Sequence, residues 1–172
     1  MLTLILGANG SGKSRFAERL ATHAPTGNLL YLATMRPHGT EGAERVARHR
    51  AQRAGLGFVT YELPQTLASA PVSSKDTVLL EDVSNLLANA MFETGGDETS
   101  VLHDIFALEA RCAHLIAVTI DGLTPSPDFD AGTLRYLAAL TTLNNALFSH
   151  ADAVVTLESG TPHVRKGVVP CV

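Results

Sequence analysis

The sequence predicts a three-layer α/β fold with a mostly parallel central sheet, and three observations carry that expectation. Short runs of Leu, Val, Ile and Ala alternate with helix-like stretches through all 172 residues, the pattern of strands joined by crossover helices. The runs are continuously apolar, as strands covered on both faces are. The first of them, Leu2-Thr3-Leu4-Ile5-Leu6, ends on a glycine-rich loop that opens a helix.

The expected elements follow in order. Residues 2–6 form a strand, and Ser14 to Thr22 a helix with Phe16, Ala17 and Leu20 on its inner face. Pro25-Thr26-Gly27-Asn28 is a turn before a second strand, residues 29–33. After a loop over 36–40, Glu41 to Arg53 reads as a charged helix stopped by Gly55 and Gly57. A third strand spans 58–62, and a short helix is expected over 63–70. A fourth strand, 77–81, ends on an acid, and a helix follows over 84–92. Gly95-Gly96-Asp97-Glu98 is a loop, then a helix covers 101–111 and a fifth strand 114–119. Residues 122–128 form a loop with two prolines. A long helix spans 133–149, with Leu134, Leu137, Leu140 and Leu147 as a core or subunit-interface stripe. A strand over 153–157 follows, and 163–165 extends the sheet as a hairpin. No repeat or long linker divides the chain, so residues 1–172 are expected to form a single nucleotide-binding domain.

Composition narrows the partners. The formal charge is −4, so no global basic field draws the chain to nucleic acid or anionic membrane. No run approaches the ~20 apolar residues of a membrane span, and the opening apolar run is too short for a signal-peptide core. With no Trp and 5% aromatics, the core must come from aliphatic residues. Cys112 and Cys171 are the only cysteines, with no metal spacing and no disulfide framework. Cys112 is expected to pack as a small hydrophobe, and a reducing cytoplasm is the simplest compartment. His103, His114, His150 and His163 show no ligand spacing.

The loop Gly7-Ala8-Asn9-Gly10-Ser11-Gly12-Lys13-Ser14 matches G-x-x-x-x-G-K-[ST] at every fixed position. Such a P-loop wraps a phosphate with backbone N–H groups, and glycines permit the turns and the close approach. The helix that begins near Lys13 adds free N–H groups and the positive end of its dipole. Lys13 neutralises the outer phosphates, and the Ser14 hydroxyl can hold Mg²⁺. Glu81 closes the run Val78-Leu79-Leu80 and is the candidate acid to support that Mg²⁺, with Asp82 as competitor. The ligand class this loop predicts is therefore a triphosphate.

A second anion site is readable in the helix over 41–53. At helical spacing Arg45, His49 and Arg53 share one face, with Arg48 and Arg50 beside them. Like charges at that spacing repel unless an anion meets them. Flanking arginines also lower the affinity of His49 for a proton, and a neutral imidazole is a competent nucleophile toward phosphorus. A solvated basic helix with an incidental histidine is the plainer reading of these residues alone.

Taken together, these pieces resemble the bifunctional cobinamide kinase/cobinamide-phosphate guanylyltransferase family of cobalamin biosynthesis. The resemblance rests on the P-loop followed by Ser14-Arg15-x-Ala17-Glu18, Tyr31-Leu32-Ala33-Thr34, Arg45-Val46-x-Arg48-His49-Arg50 with Arg53, and Thr60-x-Glu62. It continues through Leu79-Leu80-Glu81-Asp82, Leu87-x-Asn89, Asn144, Ala151-Asp152 and Ser159-Gly160-x-Pro162. It implies phosphorylation of adenosylcobinamide, then transfer of GMP from GTP to the new phosphate through a guanylylated histidine. His49 matches that histidine. The implied nucleotide contacts are Gly7 through Ser14, Thr34, Met35, Arg36, Arg50, Ala51, Gln52, Arg53, Glu62 and Glu81. Mg²⁺, a corrinoid substrate and a homotrimer are implied in the same way.

The pattern departs from the family after residue 118. The expected Thr-Asn-Glu-Val-Gly reads Thr119-Ile120-Asp121-Gly122-Leu123, and the later helix lacks an Arg-Asp pair at Tyr136-Leu137-Ala138. Asp121 is a partial stand-in and a candidate base. The departure leaves open two alternatives: a relative that handles nucleotide without cobinamide chemistry, and a nucleotide-gated regulatory protein.

Overall fold

The computed structural model describes residues 1–23, 27–36, 44, 47, 50, 51 and 53–170. Among these, seven strands form one sheet in the order β3-β2-β4-β5-β1-β6-β7. The strands are β1 (Leu2–Gly7), β2 (Leu29–Ala33), β3 (Val59–Glu62), β4 (Thr77–Glu81), β5 (His114–Ile120), β6 (Ala153–Glu158) and β7 (Thr161–Lys166). Every pairing from β3 to β6 is parallel, and β7 returns antiparallel on β6 as the expected hairpin.

The apolar runs explain the layering. Leu2, Leu4 and Leu6 point to one face, where they meet α2 (Val83–Asn89), α3 (Glu98–Glu109) and α4 (Ala131–His150). Ile5, Leu79, Ile116, Val118 and Val155 point to the other, where Phe16, Ala17, Leu20 and Ala21 of α1 (Lys13–His23) cover them. A strand buried on both faces is apolar along most of its length, and β1, β4 and β5 are, with Thr3, Thr77 and Thr119 the buried polar residues among them. No helix among the described residues is long and apolar enough to cross a membrane.

Several expectations need correction. Residues 63–70 form bends and turns, not a helix. Pro71 disfavours a helical residue before it, and in the observed turns Arg111 donates to the carbonyls of Leu67, Ala68 and Ala70. The helix expected over 84–92 is α2 followed by a π-helical turn, Ala90–Thr94. α3 starts at Glu98, earlier than expected, because Asp97 and Ser100 form a reciprocal capping box. In the leucine stripe of α4, Leu137, Leu140 and Leu147 are buried but Leu134 is 39% exposed. Cys112 is buried in the core, and burial pushes its thiol up to about 11. Cys171 lies outside the described residues.

Candidate phosphate and nucleotide site

The carboxyl ends of β1, β2, β4 and β5 open on one edge of the sheet, where ligands of parallel α/β sheets bind. β1 delivers the loop 7–14 there. A Cβ on Gly7 would lie 2.6 Å from Ser11 Oγ and 2.7 Å from the Leu157 carbonyl, so only glycine fits. Gly12 has φ 91°, the left-handed region that glycine tolerates, and α1 begins at the next residue. Inside the loop the Ala8 carbonyl accepts both the Ser11 N–H (3.2 Å) and Lys13 Nζ (3.0 Å). Burial holds the Lys13 ammonium below its ordinary range, opposed by the nearby charges of Glu81 and Asp82.

Glu81 rather than Asp82 stands against the loop. Ser14 Oγ donates to Glu81 Oε1 at 2.6 Å. Asp82 instead caps α2, accepting from Asn85 N–H (2.7 Å) and Ser84 Oγ (2.6 Å). The Glu81–Asp82 peptide is cis. Burial first, and the charge of Asp82 second, push the Glu81 carboxyl well above the usual carboxylate range, against the pull of Ser14 and Lys13. Its Oε2 is buried and has no hydrogen-bond partner among the described residues. A hydroxyl beside a carboxylate with one free oxygen is the donor set Mg²⁺ takes when phosphates supply its other ligands. No cluster of three or more His, Cys, Asp or Glu stands ready as a metal cage among the described residues. Ser14 and Glu81 fit a cation that a bound nucleotide would carry.

Thr34 locks the ends of β2 and β4 together. It is fully buried. Its hydroxyl donates to the Asp82 carbonyl (2.7 Å) and accepts the Asp82 N–H (2.8 Å), while its own N–H meets the Glu81 carbonyl at 3.0 Å. Asn89 Nδ2 donates to the carbonyls of Thr34 (2.9 Å) and Pro64 (2.8 Å). Met35 and Arg36 follow at the strand end, half-buried, and Arg36 pairs with Glu93 at 2.6 Å.

The basic segment forms a second cluster. Its described residues, 44, 47, 50, 51 and 53, are helical. His49, Gln52, Arg45 and Arg48 lie outside the described residues. Arg50 pairs with Glu62, and Ala51 is exposed. Arg53, only 8% exposed, stacks its guanidinium 3.6 Å over the Tyr31 ring, so its face is used inside the protein. Arg50 and Arg53 line an open groove of about 460 Å³ with Gly55, Gly57, Phe58 and Thr60. Tyr31 joins the two clusters: burial raises its phenol, which also feels Glu81, Arg53, Glu18 and Asp82.

Four buried side-chain atoms lack protein partners among the described residues: Ser11 Oγ, Glu81 Oε2, Glu18 Oε1 and Arg53 Nε. Buried polar groups are rarely left so, and these divide between the loop and the basic groove. Glu18 was visible in sequence only as part of a longer match. Burial raises its carboxyl, opposed by Arg53 and Arg15. Asp121 follows β5 beside the loop, its N–H on the Gly7 carbonyl at 3.1 Å. Asn144 serves the same edge from α4: it accepts from Thr119 Oγ1 (2.9 Å) and donates to the Ile120 carbonyl (3.0 Å).

Known proteins place this geometry. A sequence model described as cobinamide kinase / cobinamide phosphate guanyltransferase matches residues 3–164. The bifunctional adenosylcobalamin biosynthesis protein CobU of Salmonella typhimurium is 32% identical over 122 residues, 70% of this chain and 66% of that protein. The match thus spans just under two thirds of that relative's length. The corresponding CobP protein of Pseudomonas aeruginosa is 29% identical over 175 residues, covering 97% of this chain and 98% of that one. Among solved structures, the flagellar accessory protein FlaH from Methanocaldococcus jannaschii aligns with TM-score 0.55 at 14% identity, over 96% of this chain and 78% of that one. That likeness speaks to the fold, a three-layer α/β P-loop architecture. The family match covers nearly every strand that builds the site, and the chain belongs to the cobinamide kinase/cobinamide phosphate guanyltransferase family.

Proposed function

We propose that this protein phosphorylates adenosylcobinamide with ATP or GTP and then transfers GMP from GTP to the adenosylcobinamide phosphate. The observation that carries the reading is the Ser14–Glu81 pair beside the glycine loop, with the second Glu81 oxygen unpartnered among the described residues. It supplies what triphosphate chemistry needs in a family whose description names both activities.

In this reading the N–H groups of Gly7 through Ser14 and the start of α1 bind the phosphates, and Lys13 screens their charge. Ser14 and Glu81 would hold Mg²⁺, which when bound neutralises phosphate oxygens and orients them. Lys13, partly desolvated, sits where charge develops on the transferred phosphoryl group. Thr34, Met35, Arg36, Arg50, Ala51, Gln52, Arg53 and Glu62 are the further nucleotide contacts. For the second step, a neutral His49 ring nitrogen attacks the α-phosphorus of GTP. A P–N bond forms, the bond to the bridging oxygen breaks, and pyrophosphate leaves. An oxygen of the cobinamide phosphate then attacks the same phosphorus, forming a P–O–P link and returning His49 as leaving group. The protein works as a homotrimer in the cytoplasm, as one nucleotide-binding domain.

The test is incubation with GTP labelled at the α-phosphate, followed by acid and alkali treatment. Label that survives alkali and is lost in acid, and is absent from His49→Ala, is the expected result. Unlabelled wild type, or equal label on the variant, removes the guanylyl-histidine. The departure at Thr119-Ile120-Asp121 favours one second reading, a nucleotide-handling relative without cobinamide chemistry. Label that cobinamide phosphate fails to discharge would establish it.

A further inference from the structure

The β6–β7 hairpin reaches back to the phosphate loop. At its turn, the Gly160 N–H donates to the Ser11 carbonyl at 3.0 Å. A Cβ on Gly12 would come within 3.6 Å of the Gly160 Cα, so the turn lies against the loop. Two residues before the turn, the Leu157 carbonyl of β6 lies close against Gly7. The turn itself is tight, with Ser159 at φ 49° and Gly160 at φ 85°. Its arms are tied by Arg165, which bonds Thr156 Oγ1 at 2.8 Å and Glu158 at 2.9 Å. Neither the loop pattern nor any nucleotide contact considered above involves this hairpin.

A trans peptide is planar and points its C=O and N–H in opposite directions. With the Ser11 carbonyl held by Gly160, the Gly12 N–H of the same peptide points the opposite way, away from the hairpin. Phosphate cradles are made of N–H groups that point inward. Without the outside donor the peptide can rotate and present its carbonyl oxygen to the phosphate instead, a repulsive contact. We propose that Gly160 is a positioning residue that pre-sets the phosphate cradle through the Ser11 carbonyl, so that the hairpin is a working part of the triphosphate site. The proposal rests on the reading of loop 7–14 as a phosphate cradle, and not on the cobinamide chemistry.

An amide-to-ester replacement at Gly160 in the full chain removes this N–H and little else. Affinity is measured for inorganic tripolyphosphate and for GTP, each with Mg²⁺, alongside the melting temperature. One hydrogen bond's net worth corresponds to roughly a five- to tenfold loss of affinity. The expected result is that loss for both ligands alike, because the brace acts on the phosphate cradle and not on the nucleoside. A change below twofold for both overturns the proposal. A loss for GTP alone overturns it too, and makes the turn a nucleoside contact. Gly160→Ala keeps the donor but strains the backbone, so it must lower the melting temperature while retaining more tripolyphosphate affinity than the ester. The reverse order refutes the brace even if the ester is poorly folded. Wild-type protein that binds neither ligand defeats the cradle reading itself, and the brace with it.

Discussion

Replacing Thr34 by Val removes one hydroxyl and almost no volume, which makes it a sharp probe of the acid strand. Thr34 is fully buried, and its hydroxyl makes two short hydrogen bonds to the backbone of Asp82. Each is worth about 1 kcal/mol net, and the stranded Asp82 groups add a desolvation cost. The sum is roughly 2–3 kcal/mol, or a melting temperature lower by about 4–12 °C for a chain of this size. Thr34→Ser keeps the hydroxyl and should recover most of the loss. Thermal and urea unfolding measure both, with the urea slope expected to stay constant. Nucleotide affinity separates two roles for the residue. If the hydroxyl braces the Glu81–Asp82 corner, stability and affinity fall together and Ser rescues both. If it touches nucleotide instead, affinity falls while melting is unchanged. A Val variant that melts within about 1 °C of wild type would refute the brace.

Asn144→Ala should strand the Thr119 hydroxyl and the Ile120 carbonyl, at a cost of roughly 2–4 kcal/mol. In a double-mutant cycle with Thr119→Val, a coupling of about 1–2 kcal/mol is expected; additive urea midpoints would count against the network. His114 gives a pH dependence. Burial first, and the N-terminal charge second, lower its pKa, and its Nε2 meets Thr3 Oγ1 at 2.9 Å. Because the folded value lies below the ordinary His value of about 6.5, the unfolded chain takes up the proton first. Stability from this site is therefore complete above about pH 7, and declines as pH falls toward the folded value. His114→Gln should shrink the drop in melting temperature between about pH 7 and pH 5, and an undiminished drop would assign it to other groups.

Much of the architecture was legible because burial on both faces leaves a plain mark. Leu4-Ile5 and Leu79-Leu80 point to opposite layers and are apolar for that reason. The phosphate loop was legible because its glycines answer to local geometry. Residues 63–70 read as a helix locally, but they fold as turns whose later carbonyls are held by Arg111, far along the chain, and local pattern carries no trace of such a partner. Thr34 and Asn89 looked like members of a motif, yet their bonds are to backbone at Asp82 and Pro64. The choice between Glu81 and Asp82 needed the structure, since adjacent acids at a strand end differ only in which one the next helix takes as its cap. Gly160 stood in the sequence only as part of a family match, and its bond to Ser11 depends on β6 lying beside β1, which strand order alone reveals.

The central place of β1 has a consequence for biosynthesis. Leu4 pairs with Ala117 on one side and Val154 on the other, so the strand carrying the phosphate loop is made more than a hundred residues before both of its neighbours are. A chain emerging from its N-terminus exposes the loop long before β5, β6 and the hairpin exist to shape it. Contacts so distant along the chain slow folding, and nucleotide can stabilise the fold only once nearly all of it has been translated. A ribosome stalled before residue 153 would hold a chain that has the whole glycine motif and lacks the strand and turn that shape it.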